Sequence, residues 1–428
     1  MKVLIIGGGG REHAMAWALH KSSRVTEIVA APGNAGMAQV ARCVPVAQTD
    51  LEAMVALCVA EAPGLVIVGP EVPLALGLVD ALEARKIRAF GPTKAAAQLE
   101  SSKAFAKDFM ERHEIPTARY RVCTSMEQVR TGLGFFENPS SPVVVKADGL
   151  AAGKGVVMAA NHAEALAAAE EIFSGALLGT TQQTLVLEEF LEGDEVSFFA
   201  LCDGKHAIPL AAAQDHKRVG EGDTGPNTGG MGAYSTDTLI TPEMRTWMTK
   251  EVAQKVVHGM REEGVPFQGI LFCGMMMTAR GPMVLEFNTR WGDPETQAIM
   301  MRLESDALDL FEAAVDGKAE SLKLAWKPGA SVCVIAASGG YPGSYATGLT
   351  ISGLDEDLPA GTEIFHSGTA SEGEQVVTAG GRVLGVTATA DNLRRALGKA
   401  YEGIAGISFE KMQFRRDIGY RALGRDDK

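Results

Sequence analysis

The sequence predicts an α/β protein of several domains, opening with a small doubly wound parallel domain. Three observations carry this. Strand–loop–helix units repeat to about residue 92. The 49 glycines fall mostly in loops and aromatic residues make up only 6%, which suits an α/β enzyme better than a β-sandwich or a coiled coil. The 428 residues exceed one ordinary core; at about 150 residues per domain they suggest two to four.

In order along the chain, residues 3–6 read as a buried strand, 7–10 as a tight turn and 11–21 as a helix. A second strand lies near 25–30, and the apolar run 65–68 ends in Gly69-Pro70-Glu71. Residues 102–113 read as a helix ended by Ile115-Pro116. A strand at 142–146 runs through a glycine loop into a second at 155–160, followed by a helix near 162–173. Strands at 185–190 and 196–201 are joined by a short acidic segment, and Asp203-Gly204 marks a hairpin turn. Two more strands, 270–278 and 283–287, flank Arg280-Gly281. A boundary is expected near Trp326-Lys327-Pro328-Gly329. Beyond it come strands at 330–337, 376–378 and 382–387, and a helix at 392–404 with Asp391 as its expected N-cap.

Composition excludes several classes. The net charge is -13 with no Lys/Arg run, so no nucleic-acid partner is expected. The six cysteines include no CxxC and read as free thiols in a reducing compartment. No HExxH or His cluster suggests zinc. No apolar stretch approaches the roughly 18 residues of a membrane span, and the apolar segment after Met1-Lys2 is too short for a signal peptide, so no membrane association and a cytoplasmic location are expected.

Two glycine loops invite familiar readings that fail. Gly7-Gly8-Gly9-Gly10 follows a strand and opens a helix, yet the GxGxxG frame ends on Glu12 from Gly7 and on His13 from Gly8. The second strand also ends without an acidic residue for a ribose. A helix N-terminus still suits a substrate anion, so Gly8, Gly9 and Gly10 are candidate phosphate or carboxylate binders; the alternative is a turn needed only for packing. The loop Gly149 to Gly155, with Gly153-Lys154-Gly155 at its tip, is one residue short of a P-loop, lacks the Ser/Thr after the Lys and joins strand to strand. It reads as a lid over a triphosphate.

The strongest chemistry lies in the middle of the chain. Lys146 ends an apolar strand, where an ammonium needs an anionic partner: a phosphate, or a structural salt bridge. The segment Glu188-Glu189-Phe190-Leu191 can present backbone groups to an adenine edge, and Glu195 can accept from ribose hydroxyls. In Glu286-Phe287-Asn288-Thr289-Arg290, strand periodicity puts Glu286, Asn288 and Arg290 on one face, and Leu285 with Phe287 on the other. Two oxygen ligands beside a guanidinium suit a magnesium–phosphate site. Asp293-Pro294-Glu295 continues this polar cluster. Asp215-His216-Lys217, followed by Thr228-Gly229-Gly230, reads as a loop around a small polar substrate.

These residues carry a resemblance to the phosphoribosylamine–glycine ligase (glycinamide ribonucleotide synthetase) family of the ATP-grasp superfamily. It spans GGREHA at 9–14, APGNAG at 31–36, VGPE at 68–71, FGPTKAAAQLESSKAFAKDFM at 90–110, VKADGLAAGKGV at 145–156, EEFLEGDEVS at 188–197, QDHKRVGEGDTGPNTGGMGAYS at 214–235 and EFNTRWGDPETQ at 286–297. Gly8 and Trp291 depart from the family's commoner Asn or Ser and Phe, without removing a charged group. The resemblance implies an N-terminal doubly wound domain over 1–102, a central ATP-grasp domain over 103–326 with a lid at about 118–192, and a C-terminal α/β domain over 327–428. It implies ATP-dependent ligation of glycine to 5-phosphoribosylamine through a glycyl phosphate, with magnesium or manganese. It implies Lys103, Lys146 and Lys154 on the ATP phosphates, Glu286 and Asn288 on the metal, Arg290 on the transferring phosphoryl group, and Asp215, Lys217, Asp293 and the 228–232 backbone around the substrates. Transient contact with neighbouring purine-pathway enzymes is also expected. Rival readings are an ATP-grasp enzyme acting on another acid, and a nucleotide-binding module without turnover.

Overall fold

The computed structural model describes residues 1–136, 138–150, 155–177 and 179–426. The first sheet is parallel and five-stranded, built from Lys2–Gly7, Glu27–Pro32, Arg42–Cys43, Leu65–Val68 and Ala89–Phe90. The first strand sits in the middle, paired with Glu27–Pro32 on one side and Leu65–Val68 on the other. Val3 and Ile5 face one core, Leu4 and Ile6 another, and all four are fully buried. Burial on both faces is what makes these strands read as continuous apolar runs. The order reverses beside the first strand, so its carboxyl end opens a crevice between the turn after Gly7 and the segment Gly69-Pro70-Glu71.

Two four-stranded antiparallel sheets follow. One comprises Tyr120–Cys123, Leu185–Glu189, Val143–Ala147 and Val156–Ala159; the other Ala207–Pro209, Asp194–Asp203, Gln268–Thr278 and Gly281–Asn288. The strands Leu185–Glu189 and Asp194–Asp203, adjacent in sequence, therefore belong to different sheets, and residues 190–193 cross the gap. Gly193 makes the crossing possible: with φ +158 it is extended, and a Cβ there would lie 2.2 Å from the Met277 carbonyl oxygen. Helix Lys103–Arg112, capped by the Ser102 hydroxyl, packs Phe109 and Met110 into the core under the second sheet.

The hairpin Gln268–Thr278/Gly281–Asn288 departs from simple alternation. Its register pairs Gly274 with Glu286 but Met275 with Val284, leaving Leu285 as a bulge. Val284 and Phe287 consequently share one core, while Leu285 joins Ala118, Leu191, Met276 and Met283. The expectation that Leu285 lies on the face of Phe287 is corrected by this extra residue.

The last sheet orders Gln214–Asp215, Gly232–Thr236, Ala330–Ala337, Arg382–Ala390 and Thr362–His366. Its first two strands come from before the Trp326–Gly329 segment, so it draws the 214–236 stretch into itself. Helix Leu393–Ala405 is capped by Asn392, whose side chain accepts from the Arg395 amide, and not by the expected Asp391.

The first and last sheets meet at two histidines. His13 Nδ1 accepts from the His366 amide at 2.8 Å, and the ring centroids lie 5.7 Å apart. Burial, then the neighbouring His366, lowers His13 to about 3, and burial lowers His366 to about 4. Both imidazoles are thus neutral in the fold, whereas an unfolded chain protonates them near 6.5. Because the unfolded state binds these protons first, stability should fall as pH drops from about 6.5 toward about 4. Thermal unfolding followed across this range should show a shallower decline in His366→Gln than in the parent chain; identical slopes would contradict the assignment.

Candidate active site

A cavity of about 990 Å³ opens where the four larger sheets converge. It gathers most of the residues singled out from the sequence: Lys103, Lys146, Gly155, Glu188, Glu189, Phe190, Leu191, Glu195, Asp215, Lys217, Thr228, Gly229, Glu286, Asn288, Arg290, Asp293 and Glu295 all line it. Gly153 and Lys154 lie outside the described residues. Gly230 and Pro294 stand behind the wall: a Cβ on Gly230, at φ +113, would lie 2.5 Å from Pro294 Cδ and 2.7 Å from Asp215 Oδ1.

The Gly8, Gly9 and Gly10 turn does not line the cavity, contrary to its expected role as an anion site. The reason is local. Glu12, three residues into the capping box, takes the Gly9 amide on Oε2 at 2.7 Å. Gly8 backs onto the Gly33 carbonyl, and Gly10 is pressed against Gln297 and Ser367. The turn is a packing device with its own carboxylate in place.

At one end of the cavity, Lys146 realises the salt-bridge reading. Its ammonium lies 2.8 Å from Glu188 Oε1 and donates to the Leu285 carbonyl at 3.2 Å. Lys107, unremarked in the sequence, holds Glu188 Oε2 at 2.8 Å and donates to Thr117 Oγ1 at 2.7 Å. One carboxylate thus serves two buried ammoniums. Burial lowers Lys107 to about 8, and although burial works to raise Glu188, Lys146 and Lys107 hold it below the usual carboxylate range. Lys103 donates to the Gly149 carbonyl at 2.9 Å, at the root of the glycine loop. The Glu189 carboxylate is turned to Arg280 at 2.9 Å and Arg119 at 3.5 Å, and its amide donates to the Arg119 carbonyl at 2.8 Å.

Glu286 occupies the centre. Burial works to raise its carboxyl, but Lys217, Lys146, Lys103 and Arg290 together hold it below the usual range. Among the described residues none makes a hydrogen bond or ion pair to its oxygens or to the Asn288 carboxamide. An ionised carboxylate and an amide oxygen left open in a cation-rich cavity are a donor set that fits a hard divalent cation. No cluster of three or more His, Cys, Asp or Glu suited to a metal occurs among the described residues. Any cation here would therefore share its shell with substrate oxygens.

Arg290 is fixed by two carboxylates that the sequence did not flag. Its Nη2 lies 2.8 Å from Glu100 Oε1 and its Nε 3.2 Å from Glu71 Oε2. Glu100 Oε2 accepts from the Thr289 amide and hydroxyl at 2.8 and 3.1 Å. Lys217 Nζ lies 2.8 Å from Glu195 Oε2; this pairing lowers the Glu195 carboxyl and raises the Lys217 ammonium.

The other end of the cavity differs in charge. Burial, followed by repulsion from Glu295, pushes the Asp215 carboxyl well above its ordinary value, and its Oδ1 is buried without a hydrogen-bond partner. Burial likewise raises Glu295, whose Oε1 accepts from Ser197 Oγ at 3.0 Å. Asp293 stays low: burial opposes ionisation, but Arg382 and Arg11 overcome it. Arg11, Glu71, Glu100, Lys107, Tyr341 and Arg382 are among the lining residues missed in the sequence. Glu71 and Arg11 had a signal, since both lie just past carboxyl ends of the parallel strands, where the switch in strand order places ligands.

Two antiparallel sheets closing on a cavity, with lysines on one side and a carboxylate, an amide and an arginine on the other, fit the ATP-grasp class of enzymes. Comparison with known proteins agrees with this class and narrows it. Family models for phosphoribosylglycinamide synthetase match its N domain over residues 1–100, its ATP-grasp (A) domain over 101–296 and its C domain over 331–421. The chain belongs to the phosphoribosylglycinamide synthetase family. It is 51% identical over 430 residues to the phosphoribosylamine–glycine ligase of Xanthomonas axonopodis pv. citri, covering 100% of this chain and 99% of that one. It is 50% identical to that of Rhizobium meliloti over 426 residues, covering 100% of both. The crystal structure of the Thermotoga maritima phosphoribosylamine–glycine ligase superposes with a TM-score of 0.84 at 33% identity, covering 98% of this chain and 100% of that one. A biotin carboxylase from Campylobacter jejuni, at 15% identity and a TM-score of 0.75 over 97% of this chain and 93% of its own, shares the fold.

The Glu188 bridge gives a direct test. Glu188→Gln leaves two buried ammoniums without their carboxylate and should cost on the order of 3–5 kcal/mol. Lys107→Met keeps the Lys146–Glu188 pair and should cost less. Chemical unfolding of both variants measures this; a Glu188→Gln variant no less stable than Lys107→Met would contradict the shared-carboxylate account.

Proposed function

We propose that the protein ligates glycine to 5-phosphoribosylamine, using ATP and a divalent cation and passing through glycyl phosphate. One observation carries this reading: a single cavity joins a cation-rich end around the open Glu286 carboxylate to an end lined by Asp215, Asp293 and Glu295. The first suits a triphosphate, the second a small amine-bearing substrate.

A carboxylate and an amine do not condense unaided in water, because oxide is a poor leaving group. Transfer of the terminal phosphoryl group to a glycine carboxylate oxygen breaks the bond to ADP and makes phosphate the next leaving group. Attack of the ribosylamine nitrogen on the acyl carbon then forms the amide and releases phosphate. The protein's share is positioning and charge neutralisation. Lys103 and Lys146 face the phosphates, and Gly153, Lys154 and Gly155 are assigned to the same group. Backbone groups of 188–191 receive the adenine, and Glu195, oriented by Lys217, receives the ribose. Glu286 and Asn288 hold magnesium or manganese, which when bound neutralises phosphate charge. Arg290, its plane fixed by Glu71 and Glu100, steadies the transferring group. Asp215 and Glu295, held above the usual carboxylate range, are placed to bind the amine and take its proton. Lys217, Asp293, Pro294 and the Thr228-Gly229-Gly230 backbone shape the substrate end, while the Gly8–Gly10 turn supports Asp293 from behind.

The same reading divides the chain at 1–102, 103–326 and 327–428, with a lid at about 118–192. No helix among the described residues is long and apolar enough to cross a membrane. A cytoplasmic location, where ATP and glycine are at hand, completes the proposal.

ADP release tests it, with ATP and magnesium present and glycine and freshly made phosphoribosylamine added singly and together. Release should require both; release without glycine, or with another acid in its place, would overturn the substrate assignment. Removing one electrostatic stabiliser by Glu286→Ala or Arg290→Ala should lower turnover roughly 10²-fold or more. Near-normal turnover in a folded variant would remove that residue from the chemistry.

A further inference from the structure

The ligase reading leaves one ionic group without a receiver. Phosphoribosylamine carries a phosphomonoester that is largely dianionic at neutral pH, and burying it needs a dedicated cation. The glycine turn does not serve, because the Gly9 amide already binds Glu12 and the turn lies outside the cavity wall.

Arg382 meets the requirement. It begins the strand Arg382–Ala390 of the last sheet and lines the cavity at its substrate end. Its Nη1 donates to the Gly229 carbonyl at 2.7 Å and to the Asp293 carbonyl at 2.6 Å. Its Nη2 and Nε make no hydrogen bond among the described residues. The guanidinium is therefore anchored at one corner by neutral carbonyls, and the other two donors remain as a fork. Such a fork matches two oxygens of a phosphate. The Asp293 carboxylate lies 3.5 Å from Nη1, and its Oδ1 accepts from Gln297 Nε2 at 2.8 Å. The neighbouring wall is aromatic and comes from the same region. Tyr341 accepts the Gly229 amide on its hydroxyl at 3.0 Å and packs against Tyr345 at 6.2 Å, and both rings line the cavity. A pentose could lie against these rings with its phosphate on the fork.

We propose that Arg382 binds the phosphomonoester of the ribosylamine substrate and so selects phosphorylated pentoses over free ones. This inference rests on the ligase reading.

Inhibition by ribose 5-phosphate and by ribose, each competing with phosphoribosylamine at saturating ATP and glycine, tests it. In the parent enzyme ribose 5-phosphate should inhibit far better than ribose. In Arg382→Met that preference should shrink by roughly 10- to 100-fold, the worth of a charge-assisted hydrogen-bonded contact, while the ATP KM stays within about threefold. Loss of the Gly229 and Asp293 contacts alone would weaken both inhibitors equally and leave the preference intact, which would overturn the proposal. If the Met variant does not fold, Arg382→Lys keeps a cation beside Gly229 but lacks the fork, and should still lose part of the preference; an undiminished preference there would equally overturn it. A parent enzyme whose ADP release ignores phosphoribosylamine would instead bring down the ligase reading itself.

Discussion

Everything in the cavity depends on keeping the Glu286 carboxylate ionised away from water. Burial alone would neutralise it. Four cations prevent that, and they come from separate elements: Lys103 from a helix, Lys146 from one antiparallel sheet, Lys217 from the edge of the last sheet, and Arg290 from beyond the end of Glu286's own strand. A single charge therefore marks the point where the sheets must converge. Three of these cations are themselves steadied by carboxylates, Lys146 by Glu188, Lys217 by Glu195 and Arg290 by Glu71 and Glu100, and Lys103 donates to the Gly149 carbonyl. The cavity is thus a charge network drawn from four separate elements around one carboxylate.

The network is also asymmetric. Where Lys103, Lys107 and Lys146 meet, positive charge exceeds what Glu188 alone can balance, and a triphosphate would supply the missing anions. Around Asp215 and Glu295 the opposite holds, and the carboxyls respond by moving toward their neutral forms. A polyanion and an amine are accordingly sorted to opposite ends before any chemistry occurs. The reacting carboxylate must lie between them, beside Glu286 and Arg290. This placement, rather than any one nucleophile or base, is the protein's main contribution to a reaction whose leaving groups come from ATP.

Much of this was legible in the sequence because it sits on contiguous strands. Lys146 stood out as an ammonium at the end of an apolar run, and Glu286, Asn288 and Arg290 as alternating polar residues, so the chemistry could be read even though the bulge at Leu285 could not. Residues that act alone on distant elements were not legible. Arg382 is an ordinary strand-start arginine until the last sheet sets it beside Gly229, and Lys107 is one lysine on an amphipathic helix until Glu188 arrives from 81 positions away. The glycine turn misled for a different reason. A helix N-terminus looks like an anion site in sequence, but the capping Glu12 lay three residues on, and only the geometry shows that it turns back on the turn. Asn392 and Asp391 are equally good caps by residue type, and backbone geometry at the helix start decides between them.

The central claim is that Glu286 is an open, ionised metal-binding carboxylate, and nucleotide binding measured with and without manganese tests it most directly. Calorimetric titration of a non-hydrolysable ATP analogue into the parent protein should show clearly tighter binding when manganese is present, and Glu286→Gln should lose most of that gain while still binding the metal-free nucleotide. A Glu286→Gln variant that keeps the full metal-dependent gain would contradict the account.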